Sequence, residues 1–279
     1  MMDAALKQSL EKNATQVRIG IIEGIHSAKA GHPGGSLSCA DILTYLYFAH
    51  MNIDPKNPKK PDRDRLVLSK GHAAPALYSV LAQRGYFDPE LLLTLRKQGS
   101  ILQGHPDMKH IPGVDMSSGS LGQGVSCAVG MALSAKHFGD DYKVYTILGD
   151  GEIEEGQVWE AAMFAANKGL SNLTAFVDYN GLQIDGSIEE VNSAAPIDKK
   201  FEAFNWHTIV IDGHDFDQIE AALKEAEAVD KPVAIIAKTI KGKGVSYMEN
   251  AVNWHGAAPN DELATQALSE LNEALAKFD

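Results

Sequence analysis

Two oxygen-bearing side chains stand out by where they sit. The apolar run Val144-Tyr145-Thr146-Ile147-Leu148 leads straight into Gly149-Asp150-Gly151-Glu152, and the run Leu173-Thr174-Ala175-Phe176-Val177 leads into Asp178-Tyr179-Asn180-Gly181. Asp150 and Asn180 are separated by the length of one strand–helix–strand unit, which can bring both to neighbouring strand ends. A carboxylate and an amide oxygen are hard donors, suited to Mg2+ or Ca2+. A magnesium ion held by few protein oxygens completes its shell with phosphate and water. The glycines beside Asp150 let the backbone approach that phosphate, and the N-terminus of the next helix favours its charge. Two neighbouring motifs fail here. Gly151-x4-Gly156 is followed by Gln157-Val158 instead of the Lys-Ser/Thr of a P-loop, and Glu154 stands where a dinucleotide fingerprint needs its third glycine. An isolated Gly-Asp-Gly would be a tight turn with a surface carboxylate. Asn180 at the next strand end is what turns it into a metal–phosphate site.

These residues need a frame. The chain has 279 residues, 44% hydrophobic and 22% charged, with a formal charge of −12. That length can bury a full α/β core, and the composition is that of a water-exposed globular protein. An acidic chain without a Lys/Arg block argues against nucleic acid or an anionic membrane surface as partner. Cys39 and Cys127, the two cysteines, are far apart and form no disulfide framework or zinc site, so a reducing cytoplasm is expected. The N-terminus is polar and charged, unlike a signal peptide. The long uncharged stretch from Ser117 to Ala135 is rich in Gly and Ser and reads as a loop entering a helix, so no membrane span is expected.

Periodicity supplies the elements. Leu6, Leu10, Val17, Ile21 and Ile25 predict a first helix stopping near Gly31-His32-Pro33-Gly34-Gly35, and Ser36 is expected to cap a second helix over Leu37 to Ala49. The second half alternates: strand 144–148, helix 158–166, strand 173–177, strand 208–211, helix 216–228, strand 233–237 and a closing helix 263–278. Continuous apolar strands alternating with helices imply an α/β fold, a parallel sheet flanked by helices on both faces. Ligands in such sheets collect beyond the carboxyl ends of the strands. No repeat, low-complexity tract or linker interrupts the chain, which reads as a single domain over 1–279 with an extended helical N-terminus and a C-terminal helical tail.

Gly149-Asp150-Gly151 followed by Asn180 resembles the thiamine diphosphate signature. Gly31-His32-Pro33-Gly34, Ser69-Lys70-Gly71-His72-Ala73, Gly104-His105-Pro106, Gly119-Ser120-Leu121-Gly122-Gln123-Gly124 and Asn253-Trp254-His255-Gly256 occur in the order of the transketolase family. This resemblance implies the diphosphate-binding domain of that fold, with thiamine diphosphate and Mg2+, or Ca2+, as cofactors. It implies a metal held by Asp150, Asn180 and the Leu182 carbonyl, and a diphosphate contacted by Gly151, Asn180, His72 and His255. Gly119, Ser120 and Leu121 would face the aminopyrimidine. His32, His105 and His255 would serve the reacting sugar, because hydroxyl protons must leave and return near neutral pH and imidazole titrates nearest that range. Glu155 and Glu160 resemble family glutamates at a subunit contact, while a solvated helix start explains them equally well.

The other histidines are given no such role. His50, His110, His137 and His207 match no motif, His26 reads as structural, and His214 in Asp212-Gly213-His214-Asp215 reads as part of a strand-end turn. No His-x3-His pair supports a zinc site from His32, His72 and His105. The lysine-rich Lys238-Thr239-Ile240-Lys241-Gly242-Lys243-Gly244 is either a loop over the site or a solvated turn.

The family's activating glutamate lies in a second, pyrimidine-binding domain beyond the region matched here. The resemblance therefore implies the amino-terminal subunit of a split transketolase, active in an α2β2 assembly with a C-terminal partner subunit. It would move two-carbon ketol units between sugar phosphates, as a transferase. The rival expectation is a related split enzyme, either of the 2-oxoacid dehydrogenase or decarboxylase type or a transketolase for an unusual sugar.

Overall fold

The computed structural model describes residues 2–278. Five strands, β1 (Arg65–Leu68), β2 (Val144–Gly149), β3 (Leu173–Tyr179), β4 (His207–Asp212) and β5 (Val233–Lys238), form one sheet in the order β1-β2-β3-β5-β4, every pair parallel. The expected α/β parallel sheet is therefore observed. Its central strands are buried along nearly their whole length, which is why they read as unbroken apolar runs and not as alternating ones.

Helices cover both faces. On one face lie α1 (Ala4–Ala28), α3 (Ala40–Tyr45), α4 (Ala74–Arg84), α9 (Phe216–Glu227) and α10 (Asp261–Leu275), packed on Tyr145, Ile147, Phe176 and Ile235. On the other lie α5 (Gln123–Phe138), α6 (Gly156–Asn167) and α8 (Ile197–Ala203), packed on Val144, Leu148, Val177 and Ile236. Alternate residues of each strand thus feed alternate cores, and each fully buried Ile, Leu or Phe contributes about 1.5–3 kcal/mol. Two short helices complete the set, α2 (Pro33–Ser38) and α7 (Ile188–Asn192).

The second helix departs from expectation. It begins at Pro33 with His32 at its N-cap, so Ser36 lies inside it and donates its hydroxyl to the His32 carbonyl at 2.7 Å. Proline presets the first helical φ and has no N–H to satisfy, so the helix starts four residues earlier than the serine suggested. The helix then breaks at Cys39, resumes as α3 and ends in a π-turn over Leu46–His50. Strand β1 and helix α4 were absent from the expected elements.

Candidate active site

Strands β2 and β3 are hydrogen-bonded neighbours, with Gly149 opposite Asp178. Asp150 follows the end of β2 and Asn180 the end of β3, so both sit at adjacent carboxyl tips. The tips touch: Asp150 Oδ2 accepts from the Gly181 amide at 2.6 Å while Oδ1 accepts from the Gly151 amide at 2.9 Å. Asn180 Oδ1 accepts from the Leu182 amide at 3.2 Å. The Leu182 carbonyl accepts from Lys241 Nζ at 2.9 Å. Burial, with Asp178 nearby, pushes the Asp150 carboxyl up to about 7. A buried carboxylate in this setting favours a bound cation.

A cavity of about 310 Å3 opens above these tips, lined by Asp150, Asn180, His32, His72, His255 and Lys241 among others. The three imidazoles form a triangle with ring centroids 5.3 Å apart for His32–His72, 5.4 Å for His72–His255 and 5.6 Å for His32–His255. Burial, then neighbouring cationic groups, lowers all three: His32 to about 4, His255 to about 3, and His72 well below the usual value. Titration near neutrality was expected of His32, His105 and His255; burial lowers the first and last, and burial with Arg96 nearby lowers His105 too. At pH 7 they are neutral rings, each offering one donor and one acceptor. His32 Nδ1 is buried with no partner, a polar atom free for a ligand.

Gly119, Leu121, Gly151 and Leu182 also line the cavity. Gly119 sits at φ +156°, and a Cβ there would lie 3.1 Å from His105 Cδ2, so the loop needs glycine both for its backbone and for the ring packed on it. His105 is therefore at the rim, exposed, outside the triangle. Ser120 is exposed beside it, as are Glu155 and Glu160 at the start of α6, away from the cavity lining. Among the described residues no group of three His, Cys, Asp or Glu side chains could hold a metal, so the zinc alternative finds no support.

Four participants, Lys70, Asp178, Glu152 and Lys241, were not assigned from sequence. Lys70, on the turn after β1, is fully buried; its Nζ pairs with Asp178 and donates to the Gly35 carbonyl at 2.7 Å. Asp178 also accepts from the Ser38 hydroxyl at 2.6 Å and from Thr239 Oγ1, and Asn180 Nδ2 lies 3.4 Å from it. Glu152 ties three loops together, accepting from Ser69 Oγ, the Gly122 amide at 3.0 Å and the Gly149 amide at 3.0 Å. Lys241 donates to the Leu182 carbonyl and lies 2.8 Å from His255 Nδ1; burial lowers its ammonium to about 8. The weak sequence signal for Lys241 was a run of lysines of which only this one turns inward: Lys238 is exposed and Lys243 half-buried.

The donor set fits a small hard cation. Asp150, Asn180 and Leu182 all line the cavity at two strand tips, offering a carboxylate, an amide oxygen and a peptide carbonyl that each carry a hydrogen bond yet retain lone pairs. The profile of the family described as "Transketolase, thiamine diphosphate binding domain" matches residues 9–274. The chain belongs to the transketolase family. It is 49% identical over 95% of its length to a 6-deoxy-6-sulfo-D-fructose transketolase subunit from Clostridium sp. (strain MSTE9), covering 96% of that protein. It is 41% identical over 98% of its length to an apulose-4-phosphate transketolase subunit from Phocaeicola vulgatus, covering 97% of that protein. The crystal structure of Campylobacter jejuni transketolase superposes with a TM-score of 0.90 at 34% identity, over 100% of this chain and 46% of the other. This transketolase chain thus spans nearly all of the subunit relatives and under half of the long enzyme.

Proposed function

We propose that this chain is the diphosphate-binding subunit of a split transketolase that uses thiamine diphosphate and Mg2+, working in a cytoplasmic α2β2 assembly with a separate subunit that carries the pyrimidine-binding domain. The observation that carries the reading is the contact between the Asp150 carboxylate and the Gly181 amide, which sets two hard oxygen donors at adjacent strand tips under three neutral histidines. Asp150, Asn180 and the Leu182 carbonyl would hold the metal. Gly151, Asn180, His72, His255 and Lys241 would hold the diphosphate, and Gly119, Ser120 and Leu121 the aminopyrimidine side. Bound there, thiamine diphosphate supplies a carbon nucleophile and an electron sink for the C–C bond that breaks.

The chain's own groups do the rest. His32 and His255, neutral and edge-to-face beside one space, donate to and accept from the sugar's hydroxyl and carbonyl oxygens without carrying a charge of their own. His105 at the rim meets the substrate as it enters. Glu155 and Glu160 face outward at the start of α6, placed to meet a partner surface. The free cysteines Cys39 and Cys127 suit a reducing compartment. No helix among the described residues is long and apolar enough to cross a membrane.

A ketol transferase acting on an unusual sugar is the favoured form of this reading, because the two subunit relatives are named for 6-deoxy-6-sulfo-D-fructose and apulose-4-phosphate. The 2-oxoacid dehydrogenase or decarboxylase type is disfavoured by the His32–His72–His255 triangle, which suits hydroxyl-rich substrates. The test is to combine the chain with its partner subunit, thiamine diphosphate and Mg2+, and to offer ketose phosphates, 6-deoxy-6-sulfo-D-fructose, apulose-4-phosphate and a 2-oxoacid in parallel. Two-carbon transfer from a ketose supports the proposal. Turnover of the 2-oxoacid alone refutes it.

A further inference from the structure

His214 was expected to do no more than close a turn, yet it sits inside a buried relay. Arg18 of α1 pairs bidentately with Asp41 of α3, Nη1 to Oδ1 at 3.0 Å and Nη2 to Oδ2 at 2.6 Å. His214 Nδ1 lies 2.6 Å from Asp41 Oδ2, and His214 Nε2 lies 2.9 Å from the Ile240 amide nitrogen. A backbone N–H can only donate, so Nε2 must be bare and the ring proton must be on Nδ1, facing Asp41. Burial alone would raise Asp41, but Arg18 and His214 outweigh it and hold the carboxyl at about 2, so it stays an acceptor. The sequence makes this possible through Gly213, whose amide donates to the Lys238 carbonyl at 2.8 Å. A Cβ on Gly213 would lie 2.6 Å from Thr239 Cγ2, so only glycine lets the turn come this close to the end of β5.

Ile240 immediately precedes Lys241. The segment is held before and after: the Thr239 amide donates to the Tyr179 carbonyl at 3.0 Å, the Gly242 amide to the Gly34 carbonyl at 3.0 Å, and Arg18 Nε to the Lys243 carbonyl at 3.1 Å. Between those anchors the Ile240 carbonyl accepts from the Lys243 amide at 3.2 Å and the Lys241 carbonyl from the Asn250 amide at 2.9 Å, while the Ile240 amide has His214 Nε2 as its acceptor. We propose that His214 is a positioning residue, which sets Lys241 between the Leu182 carbonyl and His255 by accepting the Ile240 amide, with Asp41 and Arg18 fixing its ring. Both Lys241 contacts are shorter than 3 Å, so an ångström of play in that peptide breaks them. None of His214, Asp41 and Arg18 lines the cavity. The proposal rests on the thiamine diphosphate reading for its affinity readout only.

Two variants separate the two bonds of the ring. His214→Gln places an oxygen near the Nε2 position and keeps an acceptor for Ile240. His214→Asn keeps a donor for Asp41 and leaves the Ile240 amide bare. In the free chain, amide exchange of the 239–242 segment should rise about fivefold in His214→Asn, the worth of one neutral hydrogen bond, and stay near wild type in His214→Gln. With Mg2+ and the partner chain present, His214→Asn should weaken thiamine diphosphate binding about fivefold. In a Lys241→Met background it should weaken it no further, because both changes remove the same contact. Equal exchange in the two variants would overturn the proposal, and so would an undiminished His214→Asn penalty in the Lys241→Met background. If the wild-type complex binds no thiamine diphosphate, the cofactor reading falls, while the exchange comparison still decides whether His214 anchors the segment.

Discussion

Replacing Lys70 by Met is the severest test of how the cavity floor is held. The Lys70 and Asp178 side chains are 2% and 0% exposed, and the pair is surrounded by the Gly35 carbonyl, the Ser38 and Thr239 hydroxyls and Asn180. Burial opposes both charges, yet each is stabilised by the other: Lys70 is raised and Asp178 lowered, so the pair is ionised. Removing one member leaves a buried carboxylate with only hydroxyl and amide donors. That situation costs about 3–5 kcal/mol, a large share of the roughly 5–15 kcal/mol that folds a domain. Urea unfolding of Lys70→Met should show this loss. Lys70→Met with Asp178→Asn, which removes the stranded charge as well, should recover at least half of it. A Lys70→Met cost below about 1 kcal/mol, or a double variant no more stable than the single one, would refute the view that this ion pair holds the floor.

Other variants probe separate parts of the site and its supports. Asp150→Ala should abolish Mg2+-dependent thiamine diphosphate binding, followed by calorimetry, with far-ultraviolet circular dichroism unchanged. His32→Ala should lower kcat about 100-fold or more while leaving cofactor affinity within a few-fold, since it removes one group positioned on the reacting oxygens. The Asp41 carboxyl is lowered from its ordinary 3.8 to about 2, so its contribution is present above pH 4 and is lost as pH falls towards 2. Acid titration of stability should therefore show wild type exceeding Asp41→Asn by about 2 kcal/mol at pH 7, the gap closing between pH 4 and 2.

Asp150, Asn180, His32, His72 and His255 were legible because their neighbours in sequence announce their place: strand, glycine, ligand. The structure brings these five into one cavity, with Leu182. Strands β2, β3, β4 and β5 were equally plain as apolar runs. Strand β1 escaped because it is four residues long and follows a run of charge, Asp62-Arg63-Asp64. Helix α4, buried on nearly every residue, shows no polar face by which to recognise it. Lys70 and Asp178 are 108 positions apart, and His214 and Asp41 are 173 apart. Pairings of that range are made by the sheet and the helices that cross it, and no local spacing encodes them. His105 shows the converse: its motif was read, but only the folded chain puts it at the rim, on Gly119.

The most direct test is anomalous diffraction from crystals of the chain in complex with its partner, thiamine diphosphate and Mn2+ in place of Mg2+. One strong peak is expected within about 2.0–2.4 Å of an Asp150 carboxylate oxygen, Asn180 Oδ1 and the Leu182 carbonyl. A peak elsewhere, or cofactor bound with those three oxygens left without metal, would contradict the assignment of the two strand tips as the metal site.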